Sequence, residues 1–472
     1  MRRISLLVAI YLCAVELLTA QQTVVLRGVT LIDGTGAAPM PNADVVIRGD
    51  RILAAGRRGT VSLPSGATER NLSGKYLVPG FIDMHAHVAF GPVKVGQKPN
   101  EPRLSMVYDH EASRMMLRRL LEYGVTTVRN PAGPTLEAVA LRDQVARGEV
   151  PGPRVFTAGA VIDFMTSPGL AVGATTDSAV RAEVRAQAGA GVDYIKLYAG
   201  LAPPLMAAGI DEAHRHGRKA IAHTLFTSWT EAARSGIDGI VHIVPGSPKL
   251  LPPDRRPAYL KSLAGTQFMY TWFEYLDLAA PEIDTMISVM QERQVVLDPT
   301  LVTFEAMFRG NDPLITQSPD LVTAPPSLLR NWREDFTLST GWKPEEFAAA
   351  RAVWPRVLAF TKLLYDRGVP LVVGTDTPNP WAAPGTSFHR ELELLVSTGI
   401  PPLEVLRLAT GSGARALGIL DQVGTIAPGK QADLVLLDAD PVTDIRNTRR
   451  IAWVMQGGEL KHCRLQITEC RL

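Results

Sequence analysis

Six polar side chains stand at or near the ends of predicted strands, and their types could bind metal ions. His85 and His87 lie two residues apart in Met84-His85-Ala86-His87, so on a strand both imidazoles point to the same face. Imidazole and carboxylate ligands without thiolate suit Zn²⁺ or a neighbouring divalent ion that keeps an open position for water. Four more candidates end or occupy later predicted strands: Lys196, His223, His242 and Asp376.

Lys196 is chemically the unusual member of this set. A protonated lysine beside a dication would be repelled, so Lys196 fits only if it is neutral or has reacted with CO₂ to form an anionic carbamate that could bridge two metals. A metal-bridging hydroxide would then be a nucleophile at neutral pH, with a carboxylate accepting its proton. The alternative is a lysine whose charged end simply reaches solvent from a strand end.

The cysteine count excludes a thiolate metal site. Only Cys13, Cys463 and Cys470 occur, and no two of them form a CxxC pair. If the chain is exported, a disulfide between Cys463 and Cys470 is the preferred prediction, and it requires a turn through residues 464–469. The alternative is two unpaired thiols.

The N-terminus has the layout of a secretory signal peptide. A basic start, Met1-Arg2-Arg3, precedes an apolar run from Leu6 to Val15 and the sequence Leu18-Thr19-Ala20. This pattern predicts cleavage after Ala20, which would remove residues 1–20 and place the protein in the periplasm or outside the cell. A membrane anchor is the weaker alternative because the run is shorter than the ~20 residues of a spanning helix. We therefore expect no stable membrane insertion after cleavage.

The elements that must position the six side chains are alternating short strands and helices. This alternation indicates βα units and a parallel sheet. We predict an α/β protein with a (β/α)8 TIM barrel over residues 79–421. An open doubly wound sheet is the alternative, but no GxGxxG motif follows any strand. The predicted strands are Phe81–Val88, Thr126–Asn130, Arg154–Ala158, Asp193–Tyr198, Lys219–Thr224, Gly239–Ile243, Val295–Leu301 and Leu371–Asp376.

Two short β-rich regions lie on either side of the predicted barrel. Residues 21–78 and 422–472 are each too short for a good sheet alone, so we expect them to pair into one small β-sandwich domain. The 472 residues carry 49 Lys and Arg against 47 Asp and Glu, and 46 % are hydrophobic. This balance argues against disorder and against nucleic acid or an anionic membrane as the main partner. The expected partner is a small-molecule substrate.

Two longer motifs resemble those of the amidohydrolase superfamily. Pro79-Gly80-Phe81-Ile82-Asp83-Met84-His85-Ala86-His87 is similar to the family's first-strand motif. Residues Gly424 to Val435 are similar to the family's return into its β domain. More narrowly, the chain resembles the branch that contains imidazolonepropionase-like proteins and binuclear-zinc dipeptidases of the prolidase type.

The resemblance implies roles for the six residues. His85, His87 and Asp376 would hold one metal ion, and His223 and His242 would hold a second. A carboxylated Lys196 would bridge the two ions, most simply zinc. Asp376 would also act as the catalytic base, accepting a proton from the bridging hydroxide and passing it to the leaving amine. Relatives often assemble as multimers, so a homo-oligomer is expected.

Three positions depart from the dipeptidase pattern. The loop of residues 160–174 contains Asp163, Thr166 and Ser167 but not the carbonyl-polarising histidine of dipeptidase-like members. The second predicted strand ends in Asn130 where Asp is usual, and Val241 stands where many relatives have Glu. Dipeptide specificity therefore does not follow from the family. The weaker candidates for substrate contact are Tyr198, His389 and His110.

The expected function is hydrolysis of an amide bond in a dipeptide or an N-acyl amino acid. The same metal site could cleave an ester, lactone, carbamate or phosphotriester, so these substrates remain alternatives. A non-catalytic binding protein that retains the metal ligands is a further alternative from a different class.

Overall fold

The computed structural model describes residues 23–96, 103–263 and 265–463. Among these residues, the nineteen strands are β1 (Thr23–Leu31), β2 (Met40–Arg48), β3 (Arg51–Arg57), β4 (Thr68–Asn71), β5 (Tyr76–Pro79), β6 (Phe81–Asp83), β7 (Val93–Val95), β8 (Leu104–Met106), β9 (Val125–Asn130), β10 (Arg154–Thr157), β11 (Val161–Asp163), β12 (Ala171–Gly173), β13 (Tyr194–Leu197), β14 (Lys219–Ala222), β15 (Gly239–Val241), β16 (Val296–Asp298), β17 (Leu434–Leu437), β18 (Ile451–Gln456) and β19 (Glu459–Cys463).

Helices separate most of these strands. Within the described ranges, the fifteen α-helices are α1 (His110–Glu122), α2 (Thr135–Ala146), α3 (Asp177–Gly189), α4 (Pro203–Arg215), α5 (Trp229–Arg234), α6 (Arg256–Leu260), α7 (Phe268–Tyr275), α8 (Pro281–Glu292), α9 (Leu301–Phe308), α10 (Pro313–Thr316), α11 (Pro326–Glu334), α12 (Pro344–Asp366), α13 (Thr386–Ser397), α14 (Pro402–Arg407) and α15 (Gly413–Leu417).

One mixed sheet combines strands from both sides of the predicted barrel. Its order is β19-β18-β17-β5-β1-β2-β3, with β4 beside β1. β5 and β17 pair antiparallel, so Leu77 lies opposite Leu436. One face of the sheet packs a buried cluster that includes Leu26, Val45 and Trp453. The two β-rich regions therefore share a sheet, while the sandwich form and the domain boundaries stay predictions.

Parallel strands make up the central part of the fold. β6 pairs with β9 and β9 with β10, and a single bridge from Ala158 to Tyr194 leads to β13. β13, β14, β15 and β16 then pair in chain order. All six residues of β9 are buried, as expected for a parallel strand covered on both faces. These α/β elements with parallel sheets fit a TIM barrel.

The segment predicted as the eighth strand, residues 371–376, is extended but is not a regular strand. It joins β16 through a bridge from Leu297 to Leu371, and the amide of Met84 donates to the Val373 carbonyl at 2.8 Å. The buried carboxylate of Asp83 accepts the amide of Thr375 at 3.1 Å and its hydroxyl at 2.8 Å. The Asp83 side chain thus provides, for Thr375, hydrogen bonds of the kind that a neighbouring strand's backbone provides in a regular sheet.

The interior of the parallel strands is packed rather than hollow. Ile82, Met84, Tyr194 and Ile221 belong to one buried apolar cluster. The guanidinium of Arg129 lies 5.4 Å from the centre of the Tyr194 ring. Filling of this kind is usual inside parallel barrels and leaves the strand ends as the place for a site.

Several predictions fall outside the described residues. The predicted signal peptide, residues 1–20 with Cys13, lies there, as does Cys470. Cys463 is disulfide-bonded, and its pairing with Cys470 stays a prediction. Within the described residues, no helix is long and apolar enough to cross a membrane.

Candidate metal centre

All six predicted ligands line one cavity of about 220 Å³. His85 and His87 follow β6, Lys196 lies in β13, His223 follows β14 and His242 follows β15. Asp376 ends the extended segment after helix α12. Since the carboxyl ends of parallel strands meet at one rim, residues far apart in sequence converge here.

Asp376 lies among the imidazoles. Its Oδ1 lies 3.1 Å from Nε2 of His85 and 3.1 Å from Nε2 of His87, and its Oδ2 lies 3.8 Å from Nδ1 of His242. One donor atom from each of His85, His242 and Asp376 falls within 4.8 Å of the others, a spacing that could hold a metal ion. The predicted ligands therefore meet in space as well as in chemical type.

The Nδ1 atoms of His85 and His87 each lie within hydrogen-bond distance of an acceptor oxygen. His85 Nδ1 lies 2.7 Å from Oδ1 of Asp298, and His87 Nδ1 lies 3.2 Å from the Ala132 carbonyl oxygen. Because a carboxylate and a carbonyl only accept, each Nδ1 carries the proton. When either ring is neutral, its lone pair is therefore on Nε2, the atom that faces Asp376, as in metal-binding histidines.

His223 and His242 complete the ring of donors. His242 lies with its ring centre 4.8 Å from that of His85 and 4.6 Å from that of His223. Nδ1 of His242 is 2.8 Å from the Thr300 hydroxyl. Nδ1 of His223 is buried and has no hydrogen-bond partner among the described residues. A buried imidazole nitrogen without a partner is costly unless a ligand binds it.

The backbone is strained at three residues around this cluster. His242, Thr300 and Asp376 have φ angles of 72°, 50° and 60°, in the left-handed region that non-glycine residues rarely adopt. Each residue follows or ends a segment of the parallel sheet. Such strain persists where the surrounding structure enforces it and is concentrated at functional sites.

Burial determines the protonation of the imidazoles. It lowers the pKa of His223 to about 3, lowers the pKa of His87, and lowers that of His242 well below its usual range. Burial also acts to lower the pKa of His85, but the carboxylates of Asp298 and Asp376 outweigh it and raise that pKa. Three of the four rings are therefore neutral at pH 7 and able to donate a lone pair.

Lys196 is buried, with 2 % of its surface exposed. Burial lowers the pKa of its amine to about 7, so much of it is neutral at physiological pH. Within the described residues its amine makes no hydrogen bond. A neutral, unpaired lysine beside a ligand cluster fits the predicted reaction with CO₂, because only the neutral amine is nucleophilic.

A protein-family comparison identifies the family. The amidohydrolase family model matches residues 76–306 and 343–461, which is more than half of the chain. The chain belongs to the amidohydrolase family. The resemblance inferred from the first-strand and return motifs is thereby confirmed.

Individual relatives and solved structures agree with this assignment. Imidazolonepropionase of Geobacillus kaustophilus is 37 % identical over 106 residues, 22 % of this chain and 25 % of that protein, so the matched stretch spans a quarter of the relative's length. A Xaa-Pro dipeptidase structure has a TM-score of 0.67 at 21 % identity and covers 93 % of this chain and 99 % of its own. A. niger ochratoxinase has a TM-score of 0.67 at 19 % identity, covering 94 % and 96 %. At these identities the structures establish a shared fold.

The weaker substrate predictions have different outcomes in this amidohydrolase. Tyr198 lines the cavity, with its ring centre 4.9 Å from that of His223, and burial raises its pKa, so the phenol stays protonated. His389 does not line the cavity: it is fully buried, and its ring nitrogens lie 2.9 Å from the Thr448 hydroxyl and 3.1 Å from the Tyr123 carbonyl. The structure therefore does not place His389 among the residues that line the cavity.

His110 also lies away from the substrate cavity. It is exposed at the first position of α1, beside the ring of Tyr108, and does not line the cavity. The neighbouring residue Asp109 caps the helix by accepting the amide of Ala112. The structure therefore places His110 at the start of a helix and not among the residues that line the cavity.

Sequence reasoning missed Asp298 and Thr300, which orient the ligands. Oδ2 of Asp298 accepts from Nη2 of Arg129 at 2.5 Å while Oδ1 contacts His85, and all three residues are buried. Thr300 contacts His242. Asp298 ends β16, so its place at a strand end was the available signal. Asn130 has a supporting role as well, because its side-chain oxygen accepts the amide of Val88 at 3.1 Å.

Proposed function

We propose that this amidohydrolase cleaves an amide bond of a small molecule with the help of two divalent metal ions, most simply zinc. The observation that carries the proposal is the convergence of four imidazoles, Lys196 and Asp376 on one cavity. Dipeptides and N-acyl amino acids are the substrate classes that the family resemblance implies. Family membership and the uncommitted nitrogen of His223 support a metal-dependent hydrolase over a non-catalytic binding protein.

The ligands divide between the two ions as the resemblance implies. His85, His87 and Asp376 would hold one ion, His223 and His242 the other, with a carboxylated Lys196 between them. Bound ions of this kind would activate water and polarise the scissile carbonyl. The protonated Tyr198 can donate a hydrogen bond to the substrate, in place of the histidine absent from residues 160–174.

Asp376 carries the proton transfer in this proposal. Its carboxylate would accept a proton from the attacking water and deliver it to the leaving amine. With 5 % of its surface exposed, Asp376 is shielded from bulk solvent but open to the cavity. The same proton path serves an ester, lactone, carbamate or phosphotriester, which remain the second substrate group.

Location and architecture are part of the proposal. The basic and apolar pattern of residues 1–20 supports export to the periplasm or beyond the cell. The hydrogen bond from Met84 to Val373 supports closure of the parallel strands into an eight-stranded barrel. The sheet shared by residues 23–79 and 434–463 supports a β-sandwich formed from both regions.

The test combines metal analysis with a substrate screen. Zinc-loaded protein should contain about two metals per chain, and Lys196→Met should contain one or fewer. Amides, dipeptides, aryl esters and lactones should be screened, with hydrolysis expected for at least one amide class. Asp376→Asn keeps one ligand oxygen and should lose turnover by at least a hundredfold, the range typical of a general base. Activity confined to esters and lactones, or full activity in Asp376→Asn, would refute the proposal.

A further inference from the structure

The walls of the metal cavity are largely apolar. Beyond the proposed ligands, its lining includes Phe90, Val161, Leu170, Met269, Phe304 and Phe336. These side chains come from strand β11, helices α7 and α9, and the loops around them. Cavities lined in this way bind apolar groups by removing their surface from water, at about 25 cal/mol per Å².

Few charged side chains line the cavity. Among the described residues that line it, Lys196 is the one lysine or arginine, and the metal proposal uses it. The lining carboxylates are Asp376 and Asp163. Apart from the proposed metal ions, the described lining holds no arginine, no second lysine and no histidine outside the proposed ligand set. A substrate carboxylate would therefore leave water without a side-chain counter-charge of its own, which is costly.

Asp163 lines the same cavity as the proposed ligands and adds a carboxylate to it. Its Oδ1 accepts the amides of Phe164 at 2.8 Å and Gly200 at 3.0 Å, which fixes the side chain against the loop. Both amides donate to this one oxygen, so an asparagine could keep these hydrogen bonds while removing the charge. This residue lies in the loop from which the dipeptidase histidine is missing.

Exposed apolar side chains lie close in sequence to two residues that line the cavity, Asp163 and His223. Phe164 follows Asp163 directly, and Phe226 lies three residues after His223. They are 42 % and 54 % exposed, and their ring centres are 6.4 Å apart. Met165 beside them is 43 % exposed. Adjacent exposed aromatic residues next to a cavity mark a surface that binds an apolar ligand.

We infer that the preferred substrate is an uncharged, lipophilic amide, in which the apolar group packs on the cavity wall and the Phe164–Phe226 pair. This inference rests on the proposed hydrolase and narrows its substrates: a carboxylate-bearing dipeptide or N-acyl amino acid is a poorer substrate than its neutral derivative. Asp163 is the specificity residue that disfavours the anionic form.

The test uses a matched pair of compounds that share the phenylpropionyl–leucine amide bond. N-(3-phenylpropionyl)-leucine and its methylamide should be incubated with zinc-loaded protein, and release of phenylpropionate measured by chromatography. The methylamide should have a kcat/KM at least tenfold higher. Asp163→Asn should reduce that ratio at least threefold, while Asp177→Asn, an exposed surface change on α3, should leave it unchanged.

A second arm tests the aromatic pair. Phe226→Ala should lower kcat/KM for the phenylpropionyl methylamide at least fivefold and leave the acetyl analogue within twofold. Equal or faster cleavage of the free acid, with no change in Asp163→Asn, would overturn the inference while leaving the hydrolase intact. If neither compound is cleaved, the amide-hydrolase proposal fails for this class, and calorimetry with the inert pair decides the inference: tighter binding of the acid overturns it and tighter binding of the methylamide upholds it.

Discussion

Replacement of Asp298 by asparagine tests how the metal ligands are held. The Asp298 carboxylate contacts two buried partners through separate oxygens, His85 Nδ1 at 2.7 Å and Arg129 Nη2 at 2.5 Å. Asparagine has one acceptor oxygen and one NH₂ group in place of the two carboxylate oxygens. Its NH₂ group must therefore face a donor, either the N–H of Arg129 or the Nδ1–H of His85. Asp298→Asn therefore loses one hydrogen bond and leaves Arg129 without its counter-charge.

The size of the effect follows from burial. Arg129 and Asp298 are 3 % and 1 % exposed, so solvent screens their interaction little. Losing a hydrogen bond to a charged group costs about 1.5–3 kcal/mol, and breaking a buried ion pair costs about 3–5 kcal/mol. These two costs overlap because the same carboxylate makes both contacts. We expect about 3 kcal/mol less free energy of unfolding and, because His85 loses its orienting partner, about 10–100-fold weaker metal binding.

Two measurements check these values. Urea unfolding of the metal-free protein gives the change in stability, and competition with a fluorescent chelator gives zinc affinity. Asp177→Asn is the matched control, since its exposed ion pair with Arg181 at 3.0 Å should contribute about 0–1 kcal/mol. If Asp298→Asn unfolds and binds zinc like this control, the idea that Asp298 orients His85 is wrong.

Three further predictions concern packing, pH and metal. A Cβ atom added at Gly374 would lie 2.8 Å from the Cβ of His85 and 3.0 Å from the Cβ of Asp298. Gly374→Ala should therefore displace these side chains and weaken zinc binding about tenfold. In the same chelator assay Gly189→Ala should leave the zinc affinity unchanged, because no atom lies within 4 Å of a Cβ added there. Burial raises the pKa of Glu391 from 4.5 to about 8, so between these pH values the folded state holds a proton that the unfolded state releases. The free energy of unfolding, measured with urea, should therefore fall as pH rises from 4.5 to 8. This fall should be smaller in Glu391→Gln. Removal of metal by a chelator should lower the midpoint temperature of thermal unfolding, and added zinc should restore it. At a zinc concentration a thousandfold above Kd, binding adds about 4 kcal/mol to the free energy of unfolding. An unchanged midpoint would contradict the metal site.

The predicted ligand set illustrates what local patterns can reveal. His85 and His87 could be paired from sequence because alternate residues of a strand share a face. His223, His242 and Asp376 could be added because each follows or ends an apolar strand of a βα unit, and such ends meet at one rim. Their convergence on one cavity required no knowledge of loop geometry.

Substrate contacts were harder to predict for a physical reason. His389 and His110 have suitable chemistry, but their positions depend on how helices α13 and α1 pack. His389 lies against Tyr123 and Thr448, and His110 lies at an exposed helix start. Neither position can be predicted from the local sequence pattern, because each depends on how a helix packs against the rest of the fold.

The sequence by itself indicated the family, the alternation of strands and helices, and the residues that could bind metal, because motifs, strand periodicity and strand ends are local properties. Only the tertiary structure placed Asp298 between Arg129 and His85, which lie 169 and 213 residues away in the chain. It also decided that Asp163 and the apolar wall face the same cavity as the ligands. These contacts arise from packing between distant loops, and each depends on the three-dimensional path of the chain rather than on its neighbours in sequence.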